Sequence, residues 1–198
     1  EARHVILAVP PALAAGIQYG PQLPATRAQL LQRLPMGSLT KAEAVYDRPF
    51  WRDAGLSGQS LLDGEPVRST FDNTPPSGRP GVLLGLIGAE AARPWSMRAP
   101  DERKAAVLDS FASVVGDGAR QPLDYFEVDW PGEQWSRGGP VGYAPPGVLL
   151  DYGSTIRAPV GPIHWAGTET STYWNGYMEG AVRSGERAAS EVLAAFDG

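Results

Sequence analysis

Apolar residues come along this chain in short, separated bursts, and their spacing predicts its elements. "VILAV" (5–9) is an unbroken apolar run closed by Pro10 and Pro11, the pattern of a strand buried on both faces of a parallel α/β sheet. "PATRAQLLQRL" (24–34) predicts a helix with Leu30, Leu31 and Leu34 turned inward. Residues 37–46 carry strand-type alternation, weakened by Ala and Glu. Pro49, Gly55, Gly58 and Gly64 then punctuate a loop-rich stretch with a short strand over 67–71. "GVLLGLIG" (81–88) predicts another central strand, and a helix follows over 99–116, with Asp101 at its N-cap, Glu102 in its first turn and Gly116 at its end. A strand is expected over 122–130. Residues 131–147 are too rich in Gly and Pro for a regular element and predict a long loop, the kind that carries function.

The last segment is the most informative. A short buried strand over 161–167 feeds into "GTETSTYWNGYMEGAVRSGERAASEVLAAF" (167–196), which reads as one long amphipathic helix. Its predicted inner face is Met178, Ala181, Val182, Gly185, Ala189, Val192, Leu193 and Phe196 at three-four spacing. The small residues come first, so its N-terminal half must approach sheet or ligand closely. Strands followed by helices, with a strand-rich insertion between two α/β pieces, place the chain in the α/β class. Internal repeats and low-complexity tracts are absent.

Composition narrows the chemistry. The 198 residues are 42% hydrophobic and 20% charged, ordinary for a globular chain with room for one large domain or two small ones. A net charge of −5 without any basic run argues against a nucleic-acid partner. Zero cysteines exclude disulfides and thiolate metal sites, and His4 and His164 alone make a histidine metal centre a poor expectation. No apolar stretch approaches the roughly 20 residues of a membrane span, so the expectation is a soluble, cytoplasmic protein, with secretion left open and no membrane partner. The chain lacks an initiator Met and a signal peptide and starts close to a strand, which predicts a fragment, a processed subunit or a dissected domain.

Strand, Gly167-Thr168-Glu169, loop, then helix is a device that gathers backbone N–H groups and a positive helix end at one point, favouring an anionic atom there. The same geometry equally fits a well-packed βα unit whose glycines serve close packing. The wording of the segment goes further: "HWAGTETSTYWNGYMEGAVRSGERAA" (164–189) resembles the C-terminal signature of the flavin-dependent amine oxidases, the monoamine and polyamine oxidase family. The resemblance continues upstream, in the family's order, through "VILAVPPAL", "LPMGSLTK", "PFW", "DW", "GG" and "YAPPG".

The resemblance implies a partial FAD-binding Rossmann-like domain from residues 1–30 and 133–198, and a mixed-sheet substrate domain with helices over 31–132. It implies oxidation of an amine to an imine at flavin N5, with O2 reduced to H2O2. Gly167, Thr168 and Glu169 match the turn against the FAD ribityl and phosphate region. Gly176, Tyr177 and Met178, with Trp174 beside them, match the segment whose backbone N–H groups face the flavin N1/C2 edge, where a helix N-terminus holds negative charge. Lys41 matches the lysine that holds a water near N5; on residue type alone, pairing with Glu43 on the same strand face is the competing expectation. Trp130 matches an aromatic beside the isoalloxazine, and Tyr177 one wall of an aromatic cage through which the amine passes.

Departures from the family pattern also carry meaning. Gly139 stands where covalent members have the flavin-linking Cys, so FAD is expected to be non-covalent. Pro140 stands where many members have the second cage Tyr, which leaves the substrate site wider or walled by another residue such as Tyr143. G-x-G-x-x-G is missing, and with it the adenosine-pyrophosphate site. The implied partners are therefore an N-terminal FAD-binding chain or segment carrying that motif, a small amine and O2, in an oligomer. An L-amino-acid oxidase and a non-catalytic binding module that keeps the fold remain alternatives.

Overall fold

The structure, a computed structural model, describes residues 1–64, 66–88 and 90–197. In chain order it forms β1 (Val5–Leu7), α1 (Pro11–Ala14), α2 (Ala25–Gln32), β2 (Leu39–Tyr46), β3 (Ser60–Leu61), β4 (Ser69–Asp72) and β5 (Gly81–Gly88). Then come α3 (Pro100–Val115), β6 (Asp124–Asp129), α4 (Val148–Tyr152), β7 (Ile163–Trp165) and α5 (Met178–Asp197), with short 3-10 turns between. Two compact units result: Glu1–Gly37 with Glu133–Gly198, and Ser38–Gly132. Helix α2, which spans the boundary expected near residue 30, lies whole in the first unit. No helix among the described residues is long and apolar enough to cross a membrane.

The second unit is an antiparallel sheet in the order β3-β4-β5-β2-β6. Register pairs Ala42 with Gly85 and Ala44 with Leu83, so the even positions of β2 and the odd positions of β5 share one face. That face carries the core: Ala42, Ala44, Tyr46, Leu83 and Ile87 pack with Trp51 and with Val107 and Phe111 of α3. Small residues at the centre of the sheet admit the helix; a methyl on Gly85 would lie 2.7 Å from the Phe111 ring. Helix α3 starts one residue before the expected cap. Ala99 is the N-cap, Pro100 occupies the first helical position, and Asp101 sits inside the first turn without a capping bond. Proline's fixed φ and missing N–H suit that position.

In the first unit β1 pairs in parallel with β7, Val5 opposite Ile163 and Leu7 opposite Trp165. Two small clusters hold it, Ala14 with Leu31 and Trp165, and Leu30 with Leu34 and Val148, so the α2 leucines face inward as predicted. Strand β1 departs from expectation: Val5 and Ile6 are 45% and 41% exposed. An apolar run records a need for burial, and here β7 is its sole strand partner among the described residues.

The terminal helix departs as well. It begins at Met178 rather than 167, because Thr168–Thr170 form a 3-10 turn and Trp174 and Gly176 take positive φ. Its buried side is Gly180, Ser184 and Ala188, while Val182, Leu193 and Phe196 are exposed. The predicted inner face is thus turned outward. The buried face carries Ser184, whose Oγ accepts the Gly167 N–H at 2.9 Å and so supplies that backbone group with a partner.

Candidate functional site

The site of the first unit grows from the end of β7. Gly167, at φ +110, turns the chain, and its N–H donates to Ser184 Oγ of α5 at 2.9 Å. Thr170 closes the turn with its N–H and its hydroxyl on Gly167 O at 2.9 and 2.8 Å. Arg187 reaches back from α5 to donate to Trp165 O at 2.5 Å and to Thr170 Oγ1 at 3.1 Å, and is paired with Glu191. Gly167, Thr168 and Glu169 are thereby fixed from both ends.

From this turn the chain loops outward through residues 171–177 and returns into α5. Asn175 Nδ2 donates to Glu169 O at 3.1 Å, and Tyr177 N–H to Trp174 O at 3.0 Å. Trp174 and Tyr177 meet edge to face, 5.6 Å between centroids, and both rings are more than half exposed. The first helical bond of α5 is Ala181 N–H to Tyr177 O, 3.2 Å. The amides of Met178, Glu179 and Gly180 therefore have no intrahelical acceptor, and they lie next in sequence to an exposed aromatic pair.

The Gly- and Pro-rich loop packs on the same unit. Gly139 N–H donates to Gly37 O, Gly37 N–H to Val141 O and Tyr143 N–H to Pro35 O, at 2.8, 2.9 and 3.0 Å. Gly142 N–H reaches Glu169 Oε1 at 2.8 Å, joining this loop to the turn. Gly138 is needed sterically: a methyl there would collide with Gly37 O and lie 2.6 Å from Met36 Cβ. Pro140 and Tyr143 are exposed. An open groove of about 230 Å³ is lined by Val141, Tyr143, Glu169 and Asn175 among others.

Sequence reading missed a buried cation. Arg27 of α2 is 4% exposed, stacks 3.6 Å over the Trp165 ring and donates to Thr155 O at 2.6 Å. Burial lowers its guanidinium pKa to about 10. Nor was the histidine pair foreseen: His4 Nδ1 and His164 Nε2 lie 3.3 Å apart, and His164 Nδ1 lies 3.1 Å from Glu191 Oε2. Burial would raise the Glu191 pKa, but bonds from His164 and Arg187 hold it below the usual carboxylate range. Neither cluster had a local signal, since its members are far apart in sequence. No group of acidic and histidine residues among those described forms a metal site.

The second unit holds Lys41 and Trp130. Lys41 is exposed on β2, with Leu86 and Val128 as cross-strand neighbours. It forms no ion pair among the described residues; Glu43, the competing partner, accepts from Asn73 Nδ2 at 3.1 Å. Trp130 follows β6 and is half-buried, one residue beyond Asp129, which pairs with Thr40. Lys41 thus lies on β2 and Trp130 in the 3-10 turn that follows the adjacent β6.

The first-turn amides of α5, next to exposed Trp174 and Tyr177, fit a planar ligand with an electron-rich edge. A flavin is such a ligand. Comparison with known proteins shows the family: residues 1–193 match the model described as flavin containing amine oxidoreductase. A putative flavin-containing monoamine oxidase of Mycobacterium tuberculosis is 48% identical over 98% of this chain and 42% of its own length. A probable flavin-containing monoamine oxidase A of Dictyostelium discoideum is 44% identical over 97% of this chain and 42% of its own. Among solved structures, cyclohexylamine oxidase from Brevibacterium oxydans superposes with a TM-score of 0.95 at 42% identity, covering 100% of this chain and 44% of that one. Putrescine oxidase bound to putrescine gives 0.94 at 39% identity, over 98% and 43%. The chain therefore spans less than half the length of these relatives.

Proposed function

The chain belongs to the flavin containing amine oxidoreductases, and from that premise we propose that it forms the C-terminal part of an FAD-dependent amine oxidase, working with an N-terminal portion that carries the dinucleotide motif. The observation that carries the reading is the 167–178 segment: a hydrogen-bonded turn, two exposed rings and the free first-turn amides of a 20-residue helix in immediate succession.

A bound flavin would supply the redox chemistry, oxidation of the amine at its Cα–H with reduction of O2 to H2O2. The chain's own residues bind and orient. Of the three amides expected at the flavin N1/C2 edge, that of Gly176 is given to Thr168 Oγ1 and that of Tyr177 to Trp174 O, so Met178, with Glu179 and Gly180 after it in the first turn, would hold negative charge at the ring edge. Tyr177 would guide the amine with its ring face. Gly139, in place of a thiol, leaves the cofactor non-covalent. With Pro140 at the second cage position, Tyr143, which lines the groove beside Glu169 and Asn175, would wall the substrate site instead. Lys41, unpaired on its strand face, would hold a water for the reaction with O2.

Purification of the complete protein, a visible spectrum before and after acid precipitation, and peroxide release with a panel of amines and L-amino acids test this. The expected outcome is a yellow protein that releases its flavin to the supernatant and yields peroxide with an amine. Colour retained in the precipitate contradicts non-covalent binding, turnover of L-amino acids alone points to the sister activity, and a colourless protein overturns the whole reading. In the active protein, Lys41→Met should slow reoxidation of the flavin on the order of tenfold to a hundredfold.

A further inference from the structure

Thr168 has one hydroxyl, and both of its strong bonds go to the chain itself. Thr168 Oγ1 accepts the Gly176 N–H at 2.7 Å and donates its proton to Tyr177 O at 2.9 Å; Trp174 O, at 3.5 Å, is at the margin of reach. A hydroxyl has a single proton and few acceptor positions, so little is left for a ligand. The partners are eight and nine residues downstream, on the loop that ends in the exposed Tyr177. That loop is conformationally costly, with Trp174 at φ +52 and Gly176 at φ +86, and a non-glycine residue stays in the left-handed region only when its surroundings over-determine it. The opposite wall is closed too: a methyl on Gly180 would collide with Trp174 O and lie 2.8 Å from Thr168 Oγ1.

The resemblance carries Thr168 over as a residue against the cofactor, whereas the geometry points to a different role. We propose that Thr168 is a positioning residue whose hydroxyl locks the 174–177 loop, so that the Tyr177 ring and the first-turn amides of α5 are presented in a single orientation. The lock itself is a property of the fold; its consequence for catalysis rests on the reading that the start of α5 faces a flavin.

Thr168→Val removes donor and acceptor at nearly constant shape, and Thr168→Ser keeps both. In the complete, flavin-loaded protein three quantities are read: hydrogen exchange at the Gly176 amide, the shape of the flavin visible bands, and KM against kcat for the best amine. For Thr168→Val the Gly176 amide should exchange at least about tenfold faster, the flavin bands should lose fine structure, and KM should rise more than kcat falls. Thr168→Ser should restore all three. Unchanged Gly176 protection in Thr168→Val overturns the proposal. Loss of flavin with Gly176 still protected also overturns it, since that marks a direct ligand. If Thr168→Val does not fold, Thr168→Ala removes the same hydroxyl with a smaller side chain, and unchanged Gly176 exchange there overturns the proposal just as it would in Thr168→Val. A wild type without flavin defeats the functional reading alone, and Gly176 exchange then still decides whether the hydroxyl locks the loop.

Discussion

Asp72 illustrates how single residues in this chain are set by partners their neighbours in sequence do not reveal. Its carboxylate receives Trp51 Nε1 at 2.9 Å, Arg52 Nε at 2.7 Å and the Thr74 N–H at 2.9 Å. Burial alone would raise its pKa, but the bonds from Arg52, Thr74 and Trp51 outweigh it and hold the group well below the usual carboxylate range. A depressed folded-state pKa stabilises the fold above the unfolded value of about 3.9 and loses that stabilisation as pH falls toward the folded value. Asp72→Asn should therefore cost about 1–2 kcal/mol at neutral pH and flatten the fall in stability between about pH 4 and pH 2, as read by urea titration across that range. Glu127 likewise draws its partners from several segments, accepting from Trp95 Nε1 and the Tyr125 hydroxyl at 2.8 Å each and forming an ion pair with Arg103, whose Nε lies 2.9 Å away. Burial and the Glu127 contact push the Tyr125 phenol above its usual range. Nothing in "YFEVDW" marks that network, because two of its members, Trp95 and Arg103, come from other segments. Lys41 is the opposite case: its motif singled it out, and its side chain is free of ion pairs among the described residues.

At the scale of elements, α5 shows that the most apolar stripe of a helix is not always its buried one. Glycine reports the difference. Gly180 and Gly185 are both helical, and a methyl on the first would meet Trp174 O while one on the second would meet nothing within 4 Å. An unobstructed Gly→Ala change in a helix stabilises by about 0.5–1 kcal/mol, so Gly185→Ala should raise the denaturation midpoint. Gly180→Ala should lower stability by more than about 1 kcal/mol, since the loop backbone must move. Equal effects of the two changes in matched urea titrations would contradict the close approach. Strands β2 and β5 are the elements whose alternation and bounds sequence conveyed best, because one face of each is buried and period two leaves no other register. Short 3-10 turns and the four-residue α1 had no periodic signal to give.

At the scale of the molecule, the two units have unequal cores. The second unit buries Trp51, Trp95, Phe111, Leu83 and Ile87 in one cluster, whereas the first divides its buried side chains between two small clusters. Local opening follows buried apolar contact, so amides of β2 and β5 should be the slowest to exchange in native-state hydrogen exchange, and those of β1 and β7 markedly faster. Comparable protection in both sheets would refute this. The first unit is also where β1 and α5 leave apolar side chains exposed and where the 167–178 segment lies, in a chain that covers 42% of its relatives' length.

The sequence by itself determined the class of fold, the main strands, the α2 and α3 helices and the family, because periodicity and an extended run of motif words are local records of what each stretch must do. Its resemblance to the family also singled out candidate residues, from Lys41 and Trp130 to Gly167 and Tyr177, whose roles are part of the proposal. Tertiary structure alone decided which face of α5 is buried, where that helix begins, and that Arg27 stacks on Trp165 while His4 meets His164 across 160 positions. Those outcomes depend on which backbone groups and side chains become neighbours when distant segments pack, and the partners that buried polar groups find at such contacts are not written in the apolar pattern of any one segment.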